Sequence, residues 1–372
     1  MWGEGATWGG ACLLAAALVL VACAPAESPA ASAPTSVTAA AAPTPVQVTA
    51  AEGTPEAATL APATPVEATP VAEERGEASS ARKRGLLHGI GIVGDSFYDE
   101  YQGTDGRGGQ YHDVTFNLVE LLARNRPFYL GPWGDWGEPR RIGYAYNWAR
   151  SGATIRTMIE MGQHTGVAEQ IAAGEVTFVF IGIGANDFSP FYGDFYERIY
   201  SGAMSDGELE AKIAEAIADV TLAVDTVQQA GAQGVAMTLF TQWELDPTTQ
   251  AMYPDAGRRE RVAKAIDAVN AGLAAMARDR GVTVVDQIAL GKSILPQLDA
   301  QGLLNVGGEQ IDFLHHGDEP HHSRLADSEH LGTVVSGLTA NYYFVDTLNQ
   351  SFRQAVAPLS DEEILREAGL RP

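Results

Sequence analysis

The segment HGIGIVGDSF, residues 88–97, contains two overlapping patterns that belong to unrelated classes of enzyme. Gly89, Gly91 and Gly94 satisfy the G-x-G-x-x-G pattern with which dinucleotide-binding folds hold a pyrophosphate. The same segment also places Ser96 directly after a run of Ile and Val that predicts a buried strand. The first pattern predicts phosphate binding, and the second predicts a nucleophile at the end of a strand.

The dinucleotide interpretation does not fit its surroundings. In such folds the first glycine follows the strand, the motif begins a helix, and an acidic residue about 20 positions later ends a second strand. Here Ile90, Ile92 and Val93 lie between the glycines and belong to the predicted strand itself. Asp113 is near the required distance, but it begins a predicted helix. The serine interpretation is therefore favoured.

A serine that attacks a carbonyl needs a base, a group that orients the base, and N–H donors for the developing oxyanion. Three later segments contain matching residues. NWARSGAT provides Gly152, GIGANDF provides Asn186, and ADSEHLGTVVSGLTANYYF provides Asp327 and His330. The last two are three positions apart, which places both on one side of a turn. The sequence thus predicts one hydrolytic site assembled from four segments.

These four segments, in this order, resemble the signature of the SGNH (GDSL-type) hydrolase superfamily. The resemblance extends over about residues 89–349 of this chain. It implies that Ser96 is the nucleophile, that His330 is the general base and then the general acid, and that Asp327 orients His330. It implies no cofactor and no catalytic metal.

The resemblance also implies an oxyanion hole and a fold. The donors would be the backbone N–H groups of Ser96 and Gly152 and the side chain of Asn186. The implied fold is α/β, a flavodoxin-like three-layer α/β/α sandwich with a parallel sheet of about five strands. Phe97 stands where the family usually has leucine after the serine.

Strands that alternate with helices independently predict such a sandwich, because parallel strands need helical crossovers. Active sites in these sheets lie at the carboxyl ends of the strands. The predicted strands are residues 86–93, 142–148, 175–184, 234–240 and 282–286. The predicted helices are residues 112–125, 154–172, 205–230, 255–280 and 333–349.

The choice of histidine has three candidates, because the D-x-x-H pattern occurs three times: Asp312 with His315, Asp318 with His321, and Asp327 with His330. We favour the third pair because an apolar helix follows directly and fixes the histidine at a packed element. The other two pairs lie in a loop that contains glycine and proline, with nothing evident to hold them.

Two further patterns leave alternatives open. Five histidines between positions 315 and 330 fit either a metal site or a solvated lid loop. Serine chemistry needs no metal and the H-E-x-x-H motif is missing, so a lid is favoured and no metal ligand is assigned. Aromatic residues are dense at positions 128–148 and 188–200. They either bind sugar rings or acyl chains or pack as core and loop anchors.

The N-terminal residues predict export and anchoring. An apolar run of about 13 residues suits a signal peptide and is short for a membrane span. It ends at Leu20-Val21-Ala22-Cys23, which resembles a bacterial lipobox, so residues 1–23 are assigned as a signal peptide with lipidation at Cys23. A buried N-terminal helix is the alternative. Residues 24–84, rich in Ala, Pro and Thr and without an aromatic residue, predict a disordered tether.

Charge and cysteine content exclude several classes of function. The chain has a formal net charge of −23, and residues 85–372, the predicted hydrolase domain, keep −19 of it. Nucleic acid and anionic membranes are poor partners for such a field, so we expect membrane contact only through the lipid anchor. Cys12 and Cys23 are the only cysteines, which excludes thiolate chemistry in residues 85–372.

The sequence therefore predicts an extracytoplasmic serine esterase, anchored to the cell membrane through Cys23. Its substrate would carry an acyl or acetyl ester, with glycans and lipids as candidate carriers. Three alternatives would use the same triad: a lipase, a thioesterase and an acyltransferase. A fourth alternative, from a different class, is a lipoprotein that binds glycan or lipid without catalysis.

Overall fold

A computed structural model describes residues 88–372 of the chain. The predicted signal peptide, Cys23 and the predicted tether lie outside these residues. Within residues 88–372, none of the helices combines the length and the apolar character that crossing a bilayer requires.

The described residues form eight strands and eleven α-helices in the following order. The strands are β1 (Ile90–Gly94), β2 (Trp133–Asp135), β3 (Ile142–Tyr144), β4 (Phe178–Gly182), β5 (Gly234–Thr238), β6 (Thr283–Val285), β7 (Leu303–Val306) and β8 (Glu309–Asp312). The helices are α1 (Leu118–Asn125), α2 (Ile155–Glu160), α3 (Gln163–Ala172), α4 (Phe195–Ser201), α5 (Asp206–Gln229), α6 (Pro247–Met252), α7 (Ala256–Arg280), α8 (Gln287–Ile294), α9 (Thr333–Ala340), α10 (Thr347–Phe352) and α11 (Asp361–Glu367).

Four strands form the central sheet, in the order β1-β4-β5-β6 and all parallel. The pairing of β1 with β4 runs from Ile90 opposite Phe178 to Gly94 opposite Gly182. The carboxyl ends of these two strands therefore lie side by side. This parallel sheet with helices on both faces confirms the predicted α/β class.

The predicted second strand, residues 142–148, is the main departure from expectation. Its first part is β3, which pairs with β2 in an antiparallel hairpin. Beyond it, Ala145 and Tyr146 donate their N–H groups to Pro132 and Leu130. Residues 142–148 then form only two backbone hydrogen bonds with β1, both at Ile92. The fifth strand is consequently reduced to an isolated bridge between Ile92 and residue 147.

The core has two halves, one on each face of the sheet, because alternate strand residues point to opposite sides. In β1 and β4, Val93 and Ile181 belong to one half, while Ile92 and Phe180 belong to the other. The first half is completed by α2, α3, α5 and α7, and the second by α1, α9, α10 and α11. This arrangement is the predicted three-layer sandwich.

The two longest helices were predicted well, whereas the helix predicted at 112–125 begins only at Leu118 and the one predicted at 154–172 is interrupted. Helices α5 and α7 match the predicted residues 205–230 and 255–280 to within one residue at each end. The predicted helix at 154–172 is instead two helices, α2 and α3. They are separated at Gly162, whose φ of 68° lies in the left-handed region and ends a helix.

Candidate active site

A cleft of about 260 Å³ lies at the carboxyl ends of the central strands. It is lined by Ser96, Asp105, Arg107, Arg141, Arg150, Ser151, Gly152, Asn186, Tyr192 and His330. Four of the five residues predicted to act in catalysis therefore meet in one place. The fifth, Asp327, does not line the cleft but contacts Nδ1 of His330.

Ser96 lies two residues after the end of β1, in a turn whose approach is fixed by buried contacts. The side chain of Gln163 both accepts a hydrogen bond from the N–H of Gly94 (2.9 Å) and donates one to its carbonyl (3.1 Å). A Cβ atom at Gly182 would collide with the ring of Tyr98, which packs over the strand ends. Gln163, fully buried, was not singled out from the sequence.

Asp95 connects the turn that contains Ser96 to the segment that follows β4. Its carboxylate accepts hydrogen bonds from the N–H groups of Phe97 (3.2 Å) and Ala185 (3.3 Å). Burial raises the pKa of Asp95 to about 7, against the lowering effect of these two donors. Because Ala185 precedes Asn186, this one side chain sets the position of Ser96 relative to Asn186.

The three predicted oxyanion donors are free to bind a ligand. Within the described chain, the backbone N–H groups of Ser96 and Gly152 donate no hydrogen bond. The Nδ2 atom of Asn186 donates to the carbonyl of Ala153 at 3.0 Å, which leaves its second hydrogen available. Gly152 has a φ of 79°, so a side chain there would be strained. Each of the three residues therefore has an N–H group available for a ligand.

Two buried carboxylates hold the segments that carry Gly152 and Asn186. Asp99 accepts from the N–H of Ser151 at 2.7 Å, and burial raises its pKa to about 6 against the opposing effects of this bond and of the Arg141 charge. Asp187 accepts from the N–H of Ile155 at the start of α2, at 3.0 and 3.2 Å. Burial raises the pKa of Asp187 to about 7.

Asp327 and His330 form the predicted pair. Nδ1 of His330 lies 2.7 Å from Oδ2 of Asp327, and Oδ1 accepts from the N–H groups of Glu329 (3.0 Å) and His330 (2.9 Å). Burial opposes ionisation, but the hydrogen bonds and the charge of His330 outweigh it and hold the pKa of Asp327 well below its ordinary value. The carboxylate therefore favours the tautomer with a proton on Nδ1.

The other ring nitrogen of His330, Nε2, has no hydrogen-bond partner in the part of the chain that the structure describes, although the residue lines the cleft. Nε2 is buried and forms no hydrogen bond with any described residue, so it does not contact the hydroxyl of Ser96 directly. The ring packs against Phe97, with centroids 5.5 Å apart. Contacts between a catalytic base and its nucleophile are often loose without substrate and tighten when substrate binds.

Arg107 is a further residue of the site that the sequence did not identify. Its Nη1 atom lies 3.0 Å from Oδ2 of Asp327 and 3.1 Å from Nδ1 of His330. Its Nη2 atom donates to Oγ of Ser151 at 3.0 Å. Arg107 thus links the loop after β1 to the segment of Gly152 and to the predicted triad acid. No local motif around position 107 signals this role.

The two competing D-x-x-H pairs do not reach the cleft. Asp312 and His315 pair at 2.8 Å, so the expectation that nothing holds them was wrong: Asp312 ends strand β8. The His315 side chain is 76% exposed, however, and does not line the cleft. Asp318 instead accepts from the N–H of Ala326, and His321 lies near Glu309.

The sequence left two alternatives open, a metal site in the histidine-rich loop and ligand contacts by the aromatic residues at 128–148 and 188–200. Among residues 88–372, no three His, Cys, Asp or Glu side chains are grouped as a metal site would need. Of the aromatic residues, Phe128, Phe188 and Tyr196 are buried in the core. Tyr192 is 53% exposed and lines the cleft, so it alone among these is placed to contact a ligand.

Comparison with known proteins places the chain among acyl-ester hydrolases. Residues 90–327 match the family described as GDSL-like Lipase/Acylhydrolase. A search of the curated proteins found no match.

Several solved structures are similar to the chain. A lipase/acylhydrolase from Enterococcus faecalis is 13% identical, with 73% of this chain and 98% of that chain covered and a TM-score of 0.37. An acetyl xylan esterase variant from Geobacillus stearothermophilus is 16% identical, with 77% and 97% covered and a TM-score of 0.38. A family 3 carbohydrate esterase from Clostridium thermocellum is 16% identical, with 71% and 97% covered and a TM-score of 0.37. Likenesses of this degree say nothing about the substrate of the present chain.

Proposed function

The chain belongs to the GDSL-like lipase/acylhydrolase family, and from this premise we propose that it is a serine esterase in which Ser96, His330 and Asp327 form the catalytic triad. The observation that carries the proposal is convergence. The residues that carry a serine hydroxyl, an unpartnered imidazole nitrogen and free N–H donors line one cleft, although they come from four separate segments. This combination is what nucleophilic acyl transfer requires.

The proposed reaction has two halves. Ser96 Oγ attacks the ester carbonyl while its proton passes to Nε2 of His330, and the resulting oxyanion accepts hydrogen bonds from Ser96, Gly152 and Asn186. The intermediate collapses, the alcohol leaves with the proton from His330, and an acyl-enzyme remains. Water then repeats the sequence and releases the acid. Throughout, Asp327 holds Nδ1 protonated and stabilises the imidazolium.

A fluorophosphonate probe tests the proposed nucleophile. We expect one covalent adduct, located at Ser96 by mass spectrometry of a peptide digest, and none in Ser96→Ala. Because labelling needs the activated hydroxyl and not a particular substrate, an intact protein without label at Ser96 would instead support a binding lipoprotein that lacks catalysis.

The polar lining of the cleft favours substrates with a short acyl group over substrates with a long one. None of the described residues that line it is aliphatic, and most are polar or charged. A long acyl chain would gain little here, since each buried methylene contributes about 0.8 kcal/mol only in apolar surroundings. We expect kcat/KM to be higher for p-nitrophenyl acetate than for the octanoate. The reverse order would support the lipase alternative.

A glycan is the proposed carrier of the ester, and the cell surface is the proposed location. The half-exposed ring of Tyr192 at the cleft offers a flat face against which a sugar ring can pack. Release of acetate from acetylated oligosaccharides tests the carrier.

For the location, the lipobox-like sequence predicts that Cys23 becomes lipidated, so incorporation of a fatty-acid label should be lost in Cys23→Ser.

A further inference from the structure

The charged side chains that line the cleft are mostly positive, whereas the chain as a whole is negatively charged. Three arginines, Arg107, Arg141 and Arg150, and one acidic residue, Asp105, contribute to its wall. Residues 85–372 as a whole carry a net charge of −19. Neither nucleophilic catalysis nor the binding of a neutral acetyl ester requires a cluster of guanidinium groups, so the cluster needs a separate explanation.

Arg107 and Arg141 are largely occupied by partners within the site. Arg107 bonds to Asp327 and Ser151, as described above. Arg141 donates to Asp105 at 2.7 Å and to Asp99 at 3.1 Å. These two guanidinium groups are held in fixed positions and matched by carboxylates. They shape the wall and add little free positive charge to it.

Arg150 differs from the other two. Its Nη1 atom donates to the carbonyl of Pro139 (2.8 Å) and to Glu138 (2.6 Å). The side chain of Glu138 is 70% exposed, so this ion pair is screened by solvent and weak. The Nε and Nη2 atoms of Arg150 have no partner among the described residues. Arg150 therefore presents two donor nitrogens without a partner in the described chain and a charge that is poorly neutralised.

Arg150 lines the same cleft as Ser96, and its backbone is held close to the strand end that leads to Ser96. Its backbone N–H donates to the carbonyl of Gly94 at 3.0 Å, at the end of the strand that leads to Ser96. Arg150 is also two residues before Gly152, which is proposed to bind the oxyanion. A guanidinium fork matches the two oxygens of a carboxylate and also binds phosphate oxygens.

We infer that the ester hydrolysed by this enzyme carries an anionic group, a carboxylate or a phosphate, close to the scissile bond, and that Arg150 binds this group. The inference rests on the proposed esterase function and narrows its substrate class. Arg107 and Arg141 hold the surrounding wall in place. The uncharged esters used as general substrates would then be hydrolysed without this contact.

Pairs of esters that differ only in charge test the inference. On the alcohol side, 4-acetoxybenzoate is compared with 4-acetoxybenzamide, and 4-acetoxyphenyl phosphate distinguishes phosphate from carboxylate. On the acyl side, mono-4-nitrophenyl adipate is compared with 4-nitrophenyl adipamate, because the longer chain disfavours attack of the carboxylate on its own ester. We expect the wild-type enzyme to favour the anionic member of at least one pair by about tenfold in kcat/KM, the effect of one charge-assisted hydrogen bond. The preference should shrink in 0.5 M NaCl because salt screens the attraction.

Two arginine variants locate the effect. Arg150→Gln removes the charge at the cleft, and we expect the ratio of anionic to neutral kcat/KM to fall to about one. Arg156→Gln removes the same charge from α2, where Arg156 pairs with Glu215 outside the cleft, and should keep the wild-type ratio. This matched control excludes a general effect of net charge.

The inference is overturned if the wild-type enzyme hydrolyses both members of every pair equally well, a result that needs no variant and leaves the esterase function intact. It is equally overturned if Arg150→Gln keeps the wild-type ratio. If no ester is hydrolysed and the fluorophosphonate probe does not label Ser96, the esterase proposal itself fails, and the inference fails with it.

Discussion

Replacing Asn186 by alanine removes the side-chain donor of the proposed oxyanion hole and leaves the nucleophile and its base in place. Loss of one such donor in a preorganised site typically raises the activation free energy by about 3 to 4 kcal/mol, which corresponds to roughly 100- to 1000-fold in kcat. The same substitution removes the 3.0 Å hydrogen bond to the carbonyl of Ala153. We expect that loss to lower the free energy of unfolding by only about 1 kcal/mol.

The assay separates these two effects. The value of kcat for p-nitrophenyl acetate reports the oxyanion hole, and urea unfolding reports stability. Asn270→Ala is a matched control, because Asn270 is a buried asparagine whose side chain bonds to the backbone of Phe240 (2.7 and 3.1 Å) away from the cleft. It should lose stability and keep kcat. If folded Asn186→Ala keeps kcat within threefold of wild type, the assignment of the oxyanion hole is wrong.

Three other perturbations follow from the contacts described. Asp327→Asn should lower kcat by about 1000-fold or more at neutral pH, because the amide no longer fixes the tautomer of His330, whereas Asp312→Asn should leave kcat unchanged. Asp187 has its pKa raised from 3.8 to about 7, so its native form holds a proton that the unfolded chain has lost, and the contribution of Asp187 to stability falls as pH rises from about 4 to 7. Asp187→Asn should remove that contribution, so urea unfolding should show its stability relative to wild type growing over this range, by at most about 4 kcal/mol. Glu120 accepts three backbone N–H bonds, and Glu120→Gln should lower the free energy of unfolding by about 1 to 3 kcal/mol.

The sequence predicted local geometry more reliably than location. In both Asp312–His315 and Asp327–His330, one carboxylate oxygen accepts the backbone N–H of the histidine and the other lies beside its ring. The D-x-x-H spacing thus produces the same turn twice. Only the apolar helix after His330 distinguished the pairs in the sequence, and only the tertiary packing places His330 in the cleft.

The predicted strand at 142–148 was misjudged for a related reason. Its apolar and aromatic residues correctly indicated extended backbone. Which neighbour an extended segment pairs with depends on the backbone groups nearby, and here Leu130 and Pro132 accept the N–H groups of Tyr146 and Ala145. Hydrophobic pattern alone does not encode that competition.

The supporting residues of the site were beyond sequence reasoning because their contacts are long-range. Arg107 and Asp327 are 220 positions apart, and Gln163 is 69 positions from Gly94. Neither position has a motif, since an isolated arginine or glutamine is ordinary on any surface. Their importance comes from burial and from partners that only the folded chain brings together.

The contacts of Arg107 have an evolutionary consequence. One guanidinium joins Ser151 to Asp327, so three stretches of chain that are distant in the sequence are fastened at a single point. Loss of Arg107 leaves Ser151 and Asp327 without their common partner. Among descendants of this sequence, positions 107 and 151 should therefore be exchanged in concert, and lineages that lose the arginine should show accompanying replacements at the serine or rearranged loops around it.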